Sequence, residues 1–167
     1  MLKVYTVSFF GHRYIENVFE MERRLAALIS RLLQEKEYVE FLVGQDGEFD
    51  QLVSSTVKRC QQSLGAHNSA LVWVMPYPTA EFRDNEASFR DYYDEIEVCV
   101  SSSGKHFKAA FQIRNREMVD RSNLTVFCVE KKSGGAYQTM QYAKKINANH
   151  INLTEMESVE LQSEVFL

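Results

Sequence analysis

The chain has 167 residues, of which 45% are hydrophobic and 25% charged, with 7 glycines, 2 prolines and a formal net charge of −4. That size and mix suit one domain with its own core and exclude a disordered or fibrous chain. The negative balance argues against broad attachment to nucleic acid or an anionic membrane, and no run of about 18 apolar residues is present to span a bilayer.

Val4 to Phe10 is a short run of apolar, β-branched and aromatic side chains that stops at Gly11-His12-Arg13, which predicts a buried strand and a tight loop. From Glu16 to Lys36 the period changes. Val18, Met21, Leu25, Leu28, Ile29 and Leu32 recur at three and four, the mark of an amphipathic helix. Val39 to Val43 is a second strand that runs into Gly44-Gln45-Asp46-Gly47. Phe49, Leu52, Val53, Thr56, Val57 and Cys60 mark a second helix, with Gly65 placed to cap it. Ala70 to Met75 is a third strand, closed by Pro76 and Pro78. Residues 76 to 104 read as a charged, solvated excursion, with Ile96 to Val100 as a short fourth strand. A helix over Phe107 to Arg121, a strand over Leu124 to Val129, the loop Ser133-Gly134-Gly135 with its helix, and a last strand over His150 to Leu153 follow. The tail from Thr154 is acidic and at best marginally helical.

Strands alternate with helices throughout, which gives an α/β fold with a mainly parallel sheet and helices on both faces. Residues 1–153 form one domain in this reading and residues 154–167 a C-terminal tail. Cys60, Cys99 and Cys128 lack metal-ligand spacing, so no metal site is expected. Their odd number without a disulfide framework fits a reducing, cytoplasmic setting. The run MLKVYTVSFF is too short for a signal peptide. Met118, Tyr14, Phe9 and Trp73 read as core.

In an open parallel sheet, ligands bind beyond the carboxyl ends of the strands. Three strands end there in glycine-bearing loops: Gly11-His12-Arg13, Gly44-Gln45-Asp46-Gly47-Glu48 and Ser133-Gly134-Gly135-Ala136. Glycine allows close backbone approach, and the N-terminus of a following helix suits a phosphate. The last loop offers the Ser133 hydroxyl, the amides of Gly134 and Gly135, and Thr139 in the first helical turn. Arg13 can contact a phosphate or carboxylate; His12 is an acid–base candidate or a hydrogen-bonded loop histidine. Asp46, Glu48 and Asp50 either cap the second helix or accept from ribose hydroxyls. Arg114 falls on the apolar stripe of its helix with Phe107, Ala110, Phe111 and Met118, and Arg121 continues that stripe. An inward guanidinium is costly unless paired, so it is either ion-paired or held inside a ligand pocket.

The ordered set Phe10-Gly11-His12-Arg13, Gly44-x-x-Gly47-Glu48-Phe49-Asp50 and Ser133-Gly134-Gly135-Ala136-Tyr137-Gln138-Thr139 resembles the YpsA-like branch of the SLOG superfamily. The resemblance implies a Rossmann-like three-layer fold and a pocket for nucleotide-derived ligands. That superfamily includes cytokinin-activating phosphoribohydrolases, molybdenum cofactor carriers and the DNA-processing protein A group. Arg114 and Met118 match the Arg-Lys-x-x-Met stretch of the phosphoribohydrolases, but Tyr142 stands where those enzymes have their loop glutamate. Hydrolysis of an N-glycosidic bond needs a base or a carboxylate. Glu48 or Asp50 could supply it from another loop, the catalytic candidates are Glu48 as base with Arg114 gripping phosphate, and an enzyme is the second choice. The first expectation is a binding module that senses or carries a nucleotide-like, phosphate-bearing small molecule. The third is an interaction protein in DNA metabolism or cell division. A homodimer is expected, with no cofactor, no membrane attachment and nucleic acid an improbable partner.

Overall fold

The structure is a computed structural model and describes residues 1–156. Twelve elements follow one another: β1 (Val4–Gly11), α1 (Val18–Glu35), β2 (Tyr38–Val43), α2 (Glu48–Leu64), β3 (Ser69–Met75), α3 (Ala80–Asp84), α4 (Glu86–Tyr92), β4 (Glu95–Val98), α5 (Phe107–Arg121), β5 (Leu124–Cys128), α6 (Gly135–Lys145) and β6 (His150–Asn152). The strands pair in the order β4-β3-β2-β1-β5-β6, every pair parallel. This is the Rossmann-like α/β arrangement expected.

Both faces of the sheet are covered, which is why its central strands read as continuous apolar runs rather than alternating ones. Val7 and Phe9 of β1 pack with α1 and α2, whereas Phe10 turns to the opposite face with Leu42, Val72 and Phe127, under Met118 of α5 and Met140 of α6. On α1 the inward stripe is Met21, Leu25, Leu28, Ile29, Leu32 and Leu33. Leu25, Leu28, Ile29 and Leu32 are almost wholly buried, each worth about 1.5–3 kcal/mol of burial. All three cysteines are buried free thiols, and burial pushes the Cys128 thiol up to about 12.

The segment between β3 and β4 differs from the solvated excursion the sequence suggested. Thr79 caps α3 by accepting from the Phe82 N–H at 3.1 Å. Phe82, Phe89 and Tyr93 then close on Trp73, with ring centroids 5.7, 4.9 and 5.4 Å away. The fourth strand ends at Val98, because the chain turns at Cys99: its carbonyl accepts from the Ser103 N–H and the Ser102 hydroxyl. Tyr14, expected in the core, is 74% exposed. Arg121 does not continue the inward stripe of α5; it is part-exposed and paired with Glu40 and Glu97. Among the described residues no helix is long and apolar enough to cross a membrane. The tail expected from Thr154 onward falls mostly on residues 157–167, outside the described residues.

Strands β1 to β4 extend the sheet in one direction. Helix α5 then returns the chain to place β5 on the other side of β1. The β1/β5 boundary is therefore the topological switch point, where the loops part and leave a crevice.

Candidate functional site

A cleft of about 1090 Å³ opens at the carboxyl edge of the sheet, bounded by the ends of β1, β2 and β3 and by the first turns of α2, α5 and α6. Of the residues singled out in the sequence, Gly11, Arg13, Gly44, Asp46, Gly47, Glu48, Arg114, Gly135 and Ala136 line it together. His12, Ser133, Gly134 and Thr139 are not among its lining residues.

The cleft floor is built on Arg114. Helix α5 buries Ala110, Arg114 and Met118 on one face, so the guanidinium enters the interior, where it is 2% exposed. Each of its three nitrogens donates within the protein. Nη2 donates to Asp46 Oδ2 at 2.6 Å, Nη1 to the Val74 carbonyl at 3.0 Å, and Nε to Asn115 Oδ1 at 3.0 Å. Asn115 Nδ2 donates to Thr139 Oγ1 at 3.0 Å, and Thr139 donates to the Gly135 carbonyl at 2.9 Å. A continuous chain of bonds thus joins the β2–α2 loop to the first turn of α6. Of the two possibilities for an inward arginine, the structure displays the ion pair. Thr139 is fully buried and its hydroxyl is committed to this chain, so it faces α5 rather than the cleft. Asn115 was not among the candidates; a polar residue beside Arg114 on the inward face was its one signal.

Asp50 sits next to this pair, 8% exposed, and accepts from the Asp46 N–H at 3.0 Å. Burial, then the charge of Asp46, pushes its carboxyl up to about 7, against the pull of the Asp46 N–H and Arg114.

The glycines of the first two loops serve packing. A Cβ on Gly11 would lie 2.3 Å from the buried Phe49 ring, and one on Gly47 would lie 2.5 Å from the Cα of Arg13. A Cβ on Gly44 would meet Asp46 Oδ2 at 2.8 Å. The β1–α1 and β2–α2 loops are stacked through the Glu48 N–H to the Arg13 carbonyl (2.8 Å) and the Ile15 N–H to Glu48 Oε2 (3.0 Å). Glu48, the candidate base, therefore already accepts a backbone N–H. His12 takes the loop-histidine role: its Nε2 accepts from the N–H groups of Glu130 and Lys131 at 3.1 and 3.0 Å. Only the neutral ring accepts there, and burial, then Lys131, lowers its pKa. Tyr142 lies away from the cleft, where its hydroxyl donates to Asp120 at 2.6 Å and Arg116 stacks on its ring.

The β5–α6 turn is more open. Ser133, Gly134 and Gly135 are exposed. Gly134 holds φ +93°, a conformation that side-chain-bearing residues rarely adopt. It lets α6 start with Gly135 and Ala136 at the cleft, where the helix presents free N–H groups. The rim also joins the selected Arg13 to three residues that the sequence reading did not select as ligand contacts, Tyr14, Phe107 and Lys108. Arg13 and Tyr14 follow β1, and Phe107 and Lys108 open α5; all four are exposed, and Phe111 stands one turn further in. Their signal was adjacency: a cation beside a ring, twice, each time at an element boundary.

No protein-family model matches the sequence, and no curated protein is significantly similar to it. Solved structures are. DNA processing protein A from Streptococcus pneumoniae superposes with a TM-score of 0.64 at 15% identity, over 88% of this chain and 49% of that one. DNA processing protein A from Helicobacter pylori, solved for its single-stranded DNA binding mode, gives 0.60 at 12% identity, over 93% of this chain and 70% of that one. The chain spans about half the length of the pneumococcal protein. One expectation is corrected here. The net charge of −4 does not make nucleic acid an improbable partner, because a protein with a similar fold, the Helicobacter pylori one, binds single-stranded DNA. Charge averaged over a surface says little about one rim. What this chain shares with DNA processing protein A at such identities is the fold, a Rossmann-like sheet flanked by helices.

Proposed function

We propose that the cleft binds the sugar–phosphate and bases of single-stranded nucleic acid, which places the chain in DNA metabolism. The observation that carries this reading is the rim: exposed Arg13 and Tyr14 face the same opening as exposed Phe107 and Lys108. Cations track a phosphate backbone while rings stack on bases of any identity. The fold shared with DNA processing protein A, and the ordered motifs that resemble the SLOG superfamily and its YpsA-like branch, support it further. Phosphate belongs at the rim and at the start of α6, because Asp46 and Glu48 make the α2 side unfavourable for an anion. A free nucleotide held by Gly135 and Ala136 is the second reading, favoured by the open helix N-terminus. Hydrolysis has less support, since Glu48 is engaged by Ile15 and Tyr142 points elsewhere.

The test is fluorescence anisotropy with a labelled single-stranded oligonucleotide, with nucleoside monophosphates as competitors. Binding is expected to weaken with salt, with a log–log slope of about −0.7 per phosphate contacted. Phe107→Ala should weaken it about 5- to 150-fold, the scale of one lost base stack. Lys108→Glu should weaken it and flatten the salt slope. An absence of binding at low salt would refute the proposal. A monophosphate that binds as tightly as the oligonucleotide would move the assignment to the free nucleotide.

A further inference from the structure

The β5–α6 turn hangs between two anchors. Before it, Val129 is clamped by Asn152: its N–H donates to Oδ1 at 3.1 Å and its carbonyl accepts from Nδ2 at 2.8 Å. After it, the bonds of α6 begin at Gly135. The stretch between is exposed. Among the described residues, the hydrogen bonds made by residues 130–133 are those of the Glu130 and Lys131 N–H groups, and both go to His12 Nε2.

The two ends of this tether are unequally seated. His12 lies between Gly11, which is packed against the Phe49 ring, and Arg13, whose backbone is packed against Gly47 and accepts from the Glu48 N–H. Its own N–H donates to the Cys128 carbonyl at 3.3 Å. The imidazole is thus a strut from a fixed loop to a loose turn. That turn leads into Gly134, from which α6 presents Gly135 and Ala136 to the cleft. His12 is not among the cleft's lining residues, so its effect on a ligand passes through the turn.

The strut works in one protonation state. A ring that accepts at Nε2 carries its proton on Nδ1, and a second proton turns the acceptor into a donor facing two N–H groups. Burial and then Lys131 hold the ring below the ordinary histidine value, while Glu130 opposes them. Arg13 is its charged chain neighbour. Cys128 of β5 stays neutral, its thiol pushed up to about 12 by burial and Glu130 against the pull of Arg24 on α1.

We propose that His12 is the positioning residue for the phosphate end of the cleft, a latch that holds the β5–α6 turn at neutral pH and releases it in acid. The inference rests on the function proposed above, in which this turn leads to the phosphate position, and adds its regulation. A ring that merely added positive charge would strengthen phosphate binding in acid. The latch weakens it, so the direction of the pH effect separates the two.

The experiment uses the full chain between about pH 7.5 and pH 5, with hydrogen exchange read by NMR and a labelled single-stranded oligonucleotide read by anisotropy. In the ligand-free parent, the Glu130 and Lys131 amides should lose exchange protection as the His12 ring protonates. In His12→Gln, whose side-chain oxygen accepts without titrating, they should keep it. Oligonucleotide affinity of the parent relative to His12→Gln should fall about 5- to 10-fold across that range, the scale of one lost hydrogen bond. The ratio removes Asp50, which titrates in both proteins. His12→Leu, with no acceptor, should bind weakly at both ends of the range. Amide protection that does not follow the ring sinks the latch, whatever binds. An affinity ratio that stays flat or rises in acid sinks it equally. Oligonucleotide binding absent from both parent and His12→Gln at neutral pH would instead refute the function proposed above, and the exchange measurement then decides the latch alone.

Discussion

Two glycine-bearing turns face each other across the cleft. The β2–α2 turn, Gly44 to Asp50, is closed by internal partners: Asp46 is held by Arg114, Asp50 by the Asp46 N–H, and Gly47 by the Arg13 backbone packed against it. The β5–α6 turn, Ser133 to Ala136, is nearly free of such commitments. A Cβ on Gly134 meets nothing within 4 Å, and one on Gly135 meets Gln112 Nε2 at 3.4 Å. Glycine in the first turn makes room for the protein itself; in the second it keeps backbone N–H groups accessible. The sequence punctuation is alike, and what separates the two turns is the side chain, or its absence, that arrives from elsewhere in the fold.

The sharpest way to break this contrast is Arg114→Met. If the guanidinium is a brace, its loss strands the Asp46 carboxylate and the Val74 carbonyl. Removing one partner of a buried pair costs about 3–5 kcal/mol. Here about 2–3 kcal/mol is expected, because the Asp46 side chain is 39% exposed and can rehydrate. Urea denaturation measures this directly. An undiminished midpoint together with lost oligonucleotide binding would make Arg114 a ligand contact and dissolve the distinction between the turns.

A smaller effect comes from the glycines. Gly11→Ala drives a methyl into Phe49, and Gly47→Ala drives one into the Arg13 backbone. Overpacking of this kind costs about 1–3 kcal/mol. Gly135→Ala, in ordinary contact with one flexible amide, should stay within about 0.5 kcal/mol of the parent. Equal losses at all three positions in the same denaturation series would show that the β5–α6 turn is as tightly packed as its counterpart.

Much of the fold was legible because parallel strands buried on both faces leave apolar runs and long helices leave a three-and-four period. The helix over Phe107 to Arg121 was located residue for residue, although Arg114 and Asn115 dilute its buried face. The α3–α4 segment was not legible. Its helices have 5 and 7 residues, too short to show a period, and α4 buries none of its own side chains fully. For the site, the gathering of strand ends could be read but the roles could not. Arg114 was placed inward correctly, yet its partner Asp46 lies 68 residues away. Nothing near Gly11 announces Phe49. Tyr14 next to Arg13 looks like any core aromatic until the rim around it is visible.

The last difference between the turns lies in proton uptake. Asp50 is an acid whose folded pKa is raised, from 3.8 to about 7. The folded state therefore holds its proton where the unfolded chain has released it. Its contribution to stability is complete below the unfolded pKa and is lost as pH rises through the window from about 4 to about 7. Asp50→Asn keeps an acceptor for the Asp46 N–H and removes the charge. The difference in unfolding free energy, variant minus parent, should be small near pH 4 and grow to about 4 kcal/mol near pH 8 in favour of the variant. Taking the difference cancels groups of opposite sign, among them His12 and Glu20, whose folded pKa values are lowered. A flat difference across that window would mean that water reaches Asp50. The β2–α2 turn would then be an open, hydrated loop like the one it faces, and the ion pair beneath it would be reachable by a ligand phosphate.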